Sequence, residues 1–356
     1  MFFVEILFHW AMIQTYRDFS PKKEFFMRKR LVSIFLISLI AFFAFAQSNR
    51  ETSGKTYTFK VSITQSSTDP LATYTQQWIK EVEEKTDGAV KLEFYPNGEL
   101  GTINDVCEQV ARGASIIAYA GPDAYPTIAP DMAILNSQYC LTDASQIDAI
   151  NNSDWFKEQN ALLEKGGVHC LGWNYFTGYR HILCKKAIYT VDDLKGVQLR
   201  VATQPAAVFA EALGCNPIIT NWNEVYSALS TNMINAAEAP LATLYSSSLQ
   251  EVAKYCTLTN HLVSTGMMVV SSDRFNELPP EYQKILSEAV YKAGSDFTKY
   301  SLATEAEYKA KMEAAGVTFI TPDVASFAKK ASSMYTSGKL PFSDGLYEKI
   351  QAIIAK

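Results

Sequence analysis

Pro280–Ala315 reads PEYQKILSEAVYKAGSDFTKYSLATEAEYKAKMEAA, thirty-six residues with almost no punctuation except Gly294. Tyr282, Ile285, Leu286, Ala289, Val290, Ala293 and Phe297 recur at helical spacing along one face. A helical pattern longer than ~25 residues is unusual inside one compact domain. At ~1.5 Å per residue this one would reach about 54 Å, enough to lie across two small domains. The competing reading is two helices broken at Gly294-Ser295.

Upstream, strand and helix patterns alternate twice. Tyr57 to Ile63 reads as a strand, Leu71 to Thr86 as an amphipathic helix stopped by Asp87-Gly88, and Val90 to Tyr95 as a second strand. A helix over Asn104 to Arg112 ends at Gly113, a natural left-handed cap, and Ser115 to Ala120 is a short buried strand. The order restarts with strands at Gly167 to Trp173 and Val197 to Ala202, a helix from Pro205 to Leu213, and a strand from Asn216 to Ile219. Asn221 or Asn223 can then cap a helix through Leu229. Two such units predict an α/β protein with parallel or mixed sheet and helices on its faces.

The first 46 residues read as an address. Met27-Arg28-Lys29-Arg30 is basic, Leu31 to Ala46 carries no charge, and Ala44-Phe45-Ala46 closes the run with small residues, the order of a secretory signal peptide cleaved after Ala46. The sixteen-residue apolar run is shorter than the ~20 that usually span a bilayer. An uncleaved anchor is the other reading. Residues 1–26 add acids and a second apolar patch, so translation is expected to start at Met27, and residues 47–55 form a flexible leader. The first 46 residues hold six of the 32 bases and three of the 37 acids, so the remaining 310 carry a net charge of −8, against −5 for the whole chain. That balance disfavours a nucleic-acid partner. Cys107, Cys140, Cys170, Cys184, Cys215 and Cys256 are widely spread with no C-x-x-C, leaving disulfides and buried free thiols both open.

The motifs of hydrolases, nucleotide binders and zinc peptidases are absent from the sequence, and His169, His181 and His261 are not at metal-ligand spacing. No metal or cofactor is expected, and His169 is read as a satisfied core residue. Asp192-Asp193 precedes a Leu-Lys-Gly turn and reads as solvated. The informative residues are two arginines. Arg200 lies inside the apolar strand Val197–Val201, and Arg180 opens another apolar segment after Phe176-Thr177-Gly178-Tyr179. A buried guanidinium needs an anion, either an internal carboxylate or a ligand's. Trp222 is a candidate to stack on that ligand or simply to pack.

Tyr95-Pro96-Asn97-Gly98-Glu99-Leu100-Gly101 and Asp193-Leu194-Lys195-Gly196-Val197-Gln198-Leu199-Arg200-Val201 strongly resemble the substrate-binding proteins of TRAP transporters, the DctP-like family. Glu224–Leu229, Leu258-Thr259-Asn260-His261 and Leu278-Pro279-Pro280-Glu281 match in the same order, so the resemblance covers about Tyr57 to Lys330. It implies a two-domain periplasmic binding protein with discontinuous domains, a ligand cleft between them and a long helix crossing both. Domain I is expected over residues 56–175 plus about 262–290, domain II over 176–261 plus about 291–356. The resemblance places a carboxylate-pairing arginine on Arg200, a second on Arg180, and the cleft aromatic on Trp222. Asn221, beside Trp222, joins the site as a candidate. Where many members carry Asn-Pro, this chain has Glu238-Ala239-Pro240, and Glu238 is expected to face the cleft instead. Thr64, Tyr119 and Asp123 are added from their places at strand ends.

The expected function is capture of a small organic acid and its delivery to an ion-gradient-driven TRAP membrane transporter by a monomeric, non-enzymatic protein. A ligand-sensing module for a signalling receptor shares the same features. A secreted hydrolase or lyase would need an acid–base pair, for which Asp123 and Glu238 are the candidates.

Overall fold

The computed structural model describes residues 55–355; the expected start at Met27, the signal peptide and the leader up to residue 54 lie outside the described residues. Nine strands build one sheet: β1 (Tyr57–Ser62), β2 (Val90–Tyr95), β3 (Ile116–Ala120), β4 (Val168–Cys184), β5 (Gln198–Val201), β6 (Asn216–Ile219), β7 (Ala236–Pro240), β8 (Tyr255–Ser271) and β9 (Thr318–Ile320). Their order is β2-β1-β3-β8-β4-β7-β5-β6, with β9 beside β8.

Two parallel triplets flank an antiparallel ribbon. β1 pairs parallel with β2 and β3, and β5 pairs parallel with β6 and β7. Between them run β4 and β8, each of 17 residues and antiparallel to one another. Opposite ends of the ribbon serve the two triplets: β3 pairs with Met267–Val270 of β8, and β7 with Arg180–Cys184 of β4. The ribbon's register shifts at four places between Cys170 and Ile182, and such irregularities bend and twist a strand pair. The strand expected over Gly167–Trp173 thus continues to Cys184, joining both halves.

Helices cover both faces of each half. In the first, α1 (Pro70–Lys85) buries Leu71, Trp78, Ile79 and Val82 beside Phe59 and Val61, while α2 (Ile103–Ala111) and α3 (Asp154–Lys165) pack the opposite face through Val106, Val110, Phe156 and Leu163. In the second, α4 (Gln204–Ala212) buries Val208 and Phe209 against Leu199 and Val201.

The long stretch is one unbroken helix, α5 (Pro280–Ala314). Leu286, Ala289, Val290, Ala293 and Phe297 belong to the first half's core, Tyr308 and Met312 to the second's. Gly294 is a contact point, not a break: a Cβ there would lie 2.3 Å from Asn174 Oδ1 and 2.7 Å from the Tyr175 ring. The close approach lets Asn174 Nδ2 donate to the Tyr291 carbonyl at 2.7 Å and Tyr175 Oη to the Val290 carbonyl at 2.7 Å. The sequence reading assigns residues 291–356 to the second half, and two pieces depart from it. Phe297 still packs in the first, and the C-terminal helix α6 (Leu346–Ile354) buries Leu346 and Ile350 there beside Ile134 and Ile147. The final helix has its apolar partners in the first half, so the chain crosses back.

All six cysteines are free thiols, five of them buried. Burial pushes Cys107 and Cys140 up to about 12, so both stay protonated near neutral pH. His169 is not a core residue: its ring is partly exposed, stacked on Phe275 at 3.9 Å and paired with Glu164. Asp192 is exposed, and the half-buried Asp193 caps the turn by accepting from the Thr190 N–H.

Candidate functional site

A cavity of about 380 Å³ opens between the two halves, at the carboxyl ends of the parallel strands. There the sheet stops and loops and helix starts take over, which is where open α/β folds place ligands. Thr64 follows β1, Tyr119 is next to last on β3 and Asp123 follows that strand; Arg180 lies on β4, Arg200 on β5, and Asn221 and Trp222 follow β6. These seven sequence candidates line the cavity, whereas Glu238 does not.

Arg200 is only 4% exposed. Its Nε and Nη2 donate to the Thr220 carbonyl at 2.9 and 2.6 Å, and its guanidinium lies 5.2 Å from the Trp222 ring centre. Trp222 is anchored in turn by its indole N–H, which donates to Ser247 Oγ at 3.1 Å. A carbonyl and a ring face fix the fork's orientation without neutralising it. Among the described residues no carboxylate lies within ion-pair distance of Arg200. Burial lowers its pKa to about 10, the charge of Glu238 and more weakly of Glu224 opposing the fall and that of Arg180 adding to it, so it remains charged at neutral pH.

Arg180 is neutralised from within. Its Nε and Nη2 grip the Glu238 carboxylate, the latter at 2.7 Å, and Nη2 also donates to the Glu238 carbonyl at 2.7 Å. This corrects the expectation that Glu238 faces the cleft. In the β4–β7 register Arg180 stands opposite Pro240, and Glu238, two residues earlier, shares its face one pleat deeper. His261 continues the chain, its Nε2 3.2 Å from Glu238 and its Nδ1 2.7 Å from the Thr259 hydroxyl. Burial lowers the His261 pKa, so the ring is assigned as neutral, with Nε2–H donating to Glu238 and Nδ1 accepting from Thr259. Burial alone would raise Glu238, but Arg180 and His261 pull its carboxyl down to about 2. The Leu258–His261 motif therefore supports Arg180 from behind.

On the facing wall, Tyr119 packs so closely that a Cβ on Gly266 would lie 2.1 Å from its ring. Burial raises its phenol, which stays protonated. Asp123 accepts from Asn136 Nδ2 at 2.9 Å through Oδ1, while its buried Oδ2 has no hydrogen-bond partner. Burial raises its carboxyl, opposed by its own backbone N–H, Asn136, the nearby Thr203 hydroxyl and the charge of Arg180.

Beside the cavity the halves are stitched together by Asp69. Its Oδ1 caps α1 through the Leu71 N–H at 2.9 Å, and its Oδ2 accepts from the hydroxyls of Thr243 and Ser246 at 3.2 and 3.0 Å, on the segment after β7. Several lining residues escaped the sequence reading, among them Asn97, Asn104, Asn136, Thr177, Thr203 and Ser264. Asn97 sits in the Tyr95–Gly101 motif already singled out. It and Gly98 take left-handed conformations, at φ 57° and 68°, and their N–H groups bond the Gln65 and Ile63 carbonyls, so the loop after β2 is tied to the end of β1.

Two α/β halves, bridged by a ribbon and a helix and enclosing a cavity with an unpaired guanidinium, define a two-domain solute-binding protein. The chain belongs to the DctP family, bacterial extracellular solute-binding protein family 7, whose model matches residues 61–338. It is 28% identical over 242 residues to the 2,3-diketo-L-gulonate-binding periplasmic protein YiaO of Escherichia coli (strain K12), covering 67% of this chain and 74% of that one. Among solved structures, a TRAP periplasmic solute-binding protein from Ochrobacterium anthropi with bound L-fuconate matches at TM-score 0.80 and 31% identity, over 84% of this chain and 99% of that one. One from Actinobacillus succinogenes 130z with bound L-galactonate matches at TM-score 0.81 and 27% identity, over the same shares.

Proposed function

We propose that this protein captures a small hydroxylated carboxylic acid outside the cytoplasm and delivers it to the membrane subunits of a TRAP-type, ion-gradient-driven transporter, without making or breaking bonds in it. The observation that carries the reading is Arg200, a buried cation oriented by Thr220 and Trp222 at the cavity wall but in ion-pair contact with no carboxylate among the described residues. A ligand carboxylate is the anion its free N–H groups lack. Arg180, already paired, contributes polarity and shape. The sugar acids bound by the similar proteins carry such a carboxylate and a size suited to the cavity. Closing the halves strips water from these contacts and strengthens each.

Binding without chemistry is supported by Glu238, which is committed to Arg180 outside the cavity and so forms no acid–base pair with Asp123; the other lining carboxylate, Glu224, is held in a capping box. The acidic chain argues against nucleic acid, and we take the protein to act as an exported monomer. Calorimetry on the Arg200→Ala variant with L-galactonate and L-fuconate tests the central claim. A charge-assisted hydrogen bond contributes about 1.5–3 kcal/mol, so affinity should fall roughly ten- to a hundred-fold or more in a protein that still melts cooperatively. Unchanged affinity for the acids that bind the wild type would refute the role.

A further inference from the structure

Two carboxylates line the cavity, and they differ in what remains to be satisfied. Glu224 is used locally: its Oε2 contacts the Thr220 hydroxyl and accepts from the Asn221 N–H, in a capping box at the start of the turn after β6. Asp123 is half satisfied: Oδ1 accepts from Asn136, while Oδ2, although the Thr203 hydroxyl is near the carboxyl, holds no hydrogen bond of ordinary geometry. Leaving a buried acceptor unpaired is costly, so its persistence at a cavity wall calls for a donor from outside the chain. Its position is also built. A Cβ on Gly121 would lie 2.5 Å from Asp123 Oδ1 and 3.5 Å from Asn136 Nδ2, so the glycine makes room for the carboxyl to fold back.

The two walls are chemically opposed. Arg200 rises from the second half and offers N–H donors; Asp123 rises from the first and offers an acceptor. We propose that Asp123 Oδ2 accepts a hydroxyl of the bound acid, making this site selective for hydroxylated monocarboxylates over dicarboxylates of the same carbon skeleton. The inference rests on the carboxylate reading of Arg200. An acid held there turns the rest of its chain toward the first half, where a hydroxyl supplies the missing proton. A second carboxylate brings acceptors to an acceptor and a like charge into a cleft poor in water.

The mature protein is titrated by calorimetry with L-galactonate and with galactarate, the same six-carbon chain oxidised at the far end. The wild type should prefer galactonate by about a hundred-fold, since like charges brought together in an interface are strongly disfavoured. Asp123→Asn, which keeps the shape, removes the charge and adds N–H donors, should shrink that ratio at least ten-fold, chiefly by gaining galactarate. Asp123→Ala should lose galactonate affinity without the same gain. Thermal unfolding confirms that each variant is folded. Equal wild-type affinity for the two acids, no binding of either, or an unchanged ratio in D123N overturns the proposal. Failure of the underlying reading shows itself separately, as galactonate affinity that survives Arg200→Ala.

Discussion

Arg200, buried, and Arg180, half-buried, stand in one sheet and differ in what answers their charge. Arg180 has Glu238 across the β4–β7 pairing; Arg200 has a carbonyl and an indole face. Removing one member of a buried ion pair leaves the other charge stranded, at about 3–5 kcal/mol. Glu238→Gln should therefore lose stability of that order at neutral pH, measured by urea unfolding. The pH dependence follows from the depressed carboxyl. Its stabilisation is fully present above the ordinary glutamate range near 4.5 and is lost as pH falls through about 2. The gap between wild type and variant should close over that window, and a gap constant down to pH 2 would contradict the assignment. Both arginines were legible in the sequence because a charge inside an apolar strand is conspicuous. Which one was already neutralised was not, since the pairing depends on strand register across 58 residues. The same holds for Asp123, whose open oxygen exists only by virtue of Gly121 and Asn136.

Gly294 shows how an element can be misjudged by local preference. In an exposed helix interior, replacing glycine by alanine gains about 1 kcal/mol. Here the added methyl meets Asn174 and Tyr175 at van der Waals overlap. Gly294→Ala should instead destabilise, by about 1–3 kcal/mol as overpacking does, with a lower melting temperature in calorimetry; a stabilised variant would mean the helix does not press on β4 there. The helix itself was readable because its apolar stripe runs without interruption. β8 was not, because both its faces are covered along Leu262–Ser271, which erases alternation. β7, Ala236–Pro240, is made of weak strand formers and exists because β4 and β5 hold it on either side.

Asp69 acts at the scale of the molecule, since one carboxylate both caps a helix of the first half and receives two hydroxyls from the second. Asp69→Ala should cost about 1 kcal/mol through the cap alone, and should also free the seam. Small-angle scattering of the ligand-free variant is expected to give a larger radius of gyration than wild type, with weaker acid binding; Asp69→Asn, which can still cap and bond, should lie between. Identical scattering and affinity in all three would remove Asp69 from the closure. The two-domain plan was legible in the repeated α/β units and the long helix, whereas the return of the C-terminal helix to the first half depends on contacts that no local pattern announces. One consequence of the topology concerns timing. The strand that completes the first half's sheet, β8, begins only at Tyr255, and the helix that roofs it at Pro280. A growing chain therefore holds its earlier strands without their central partner until most of it has been synthesised, and pairings so distant in sequence close slowly. If the chain is exported as proposed, such a delay would leave it threadable until it reaches the compartment where it folds.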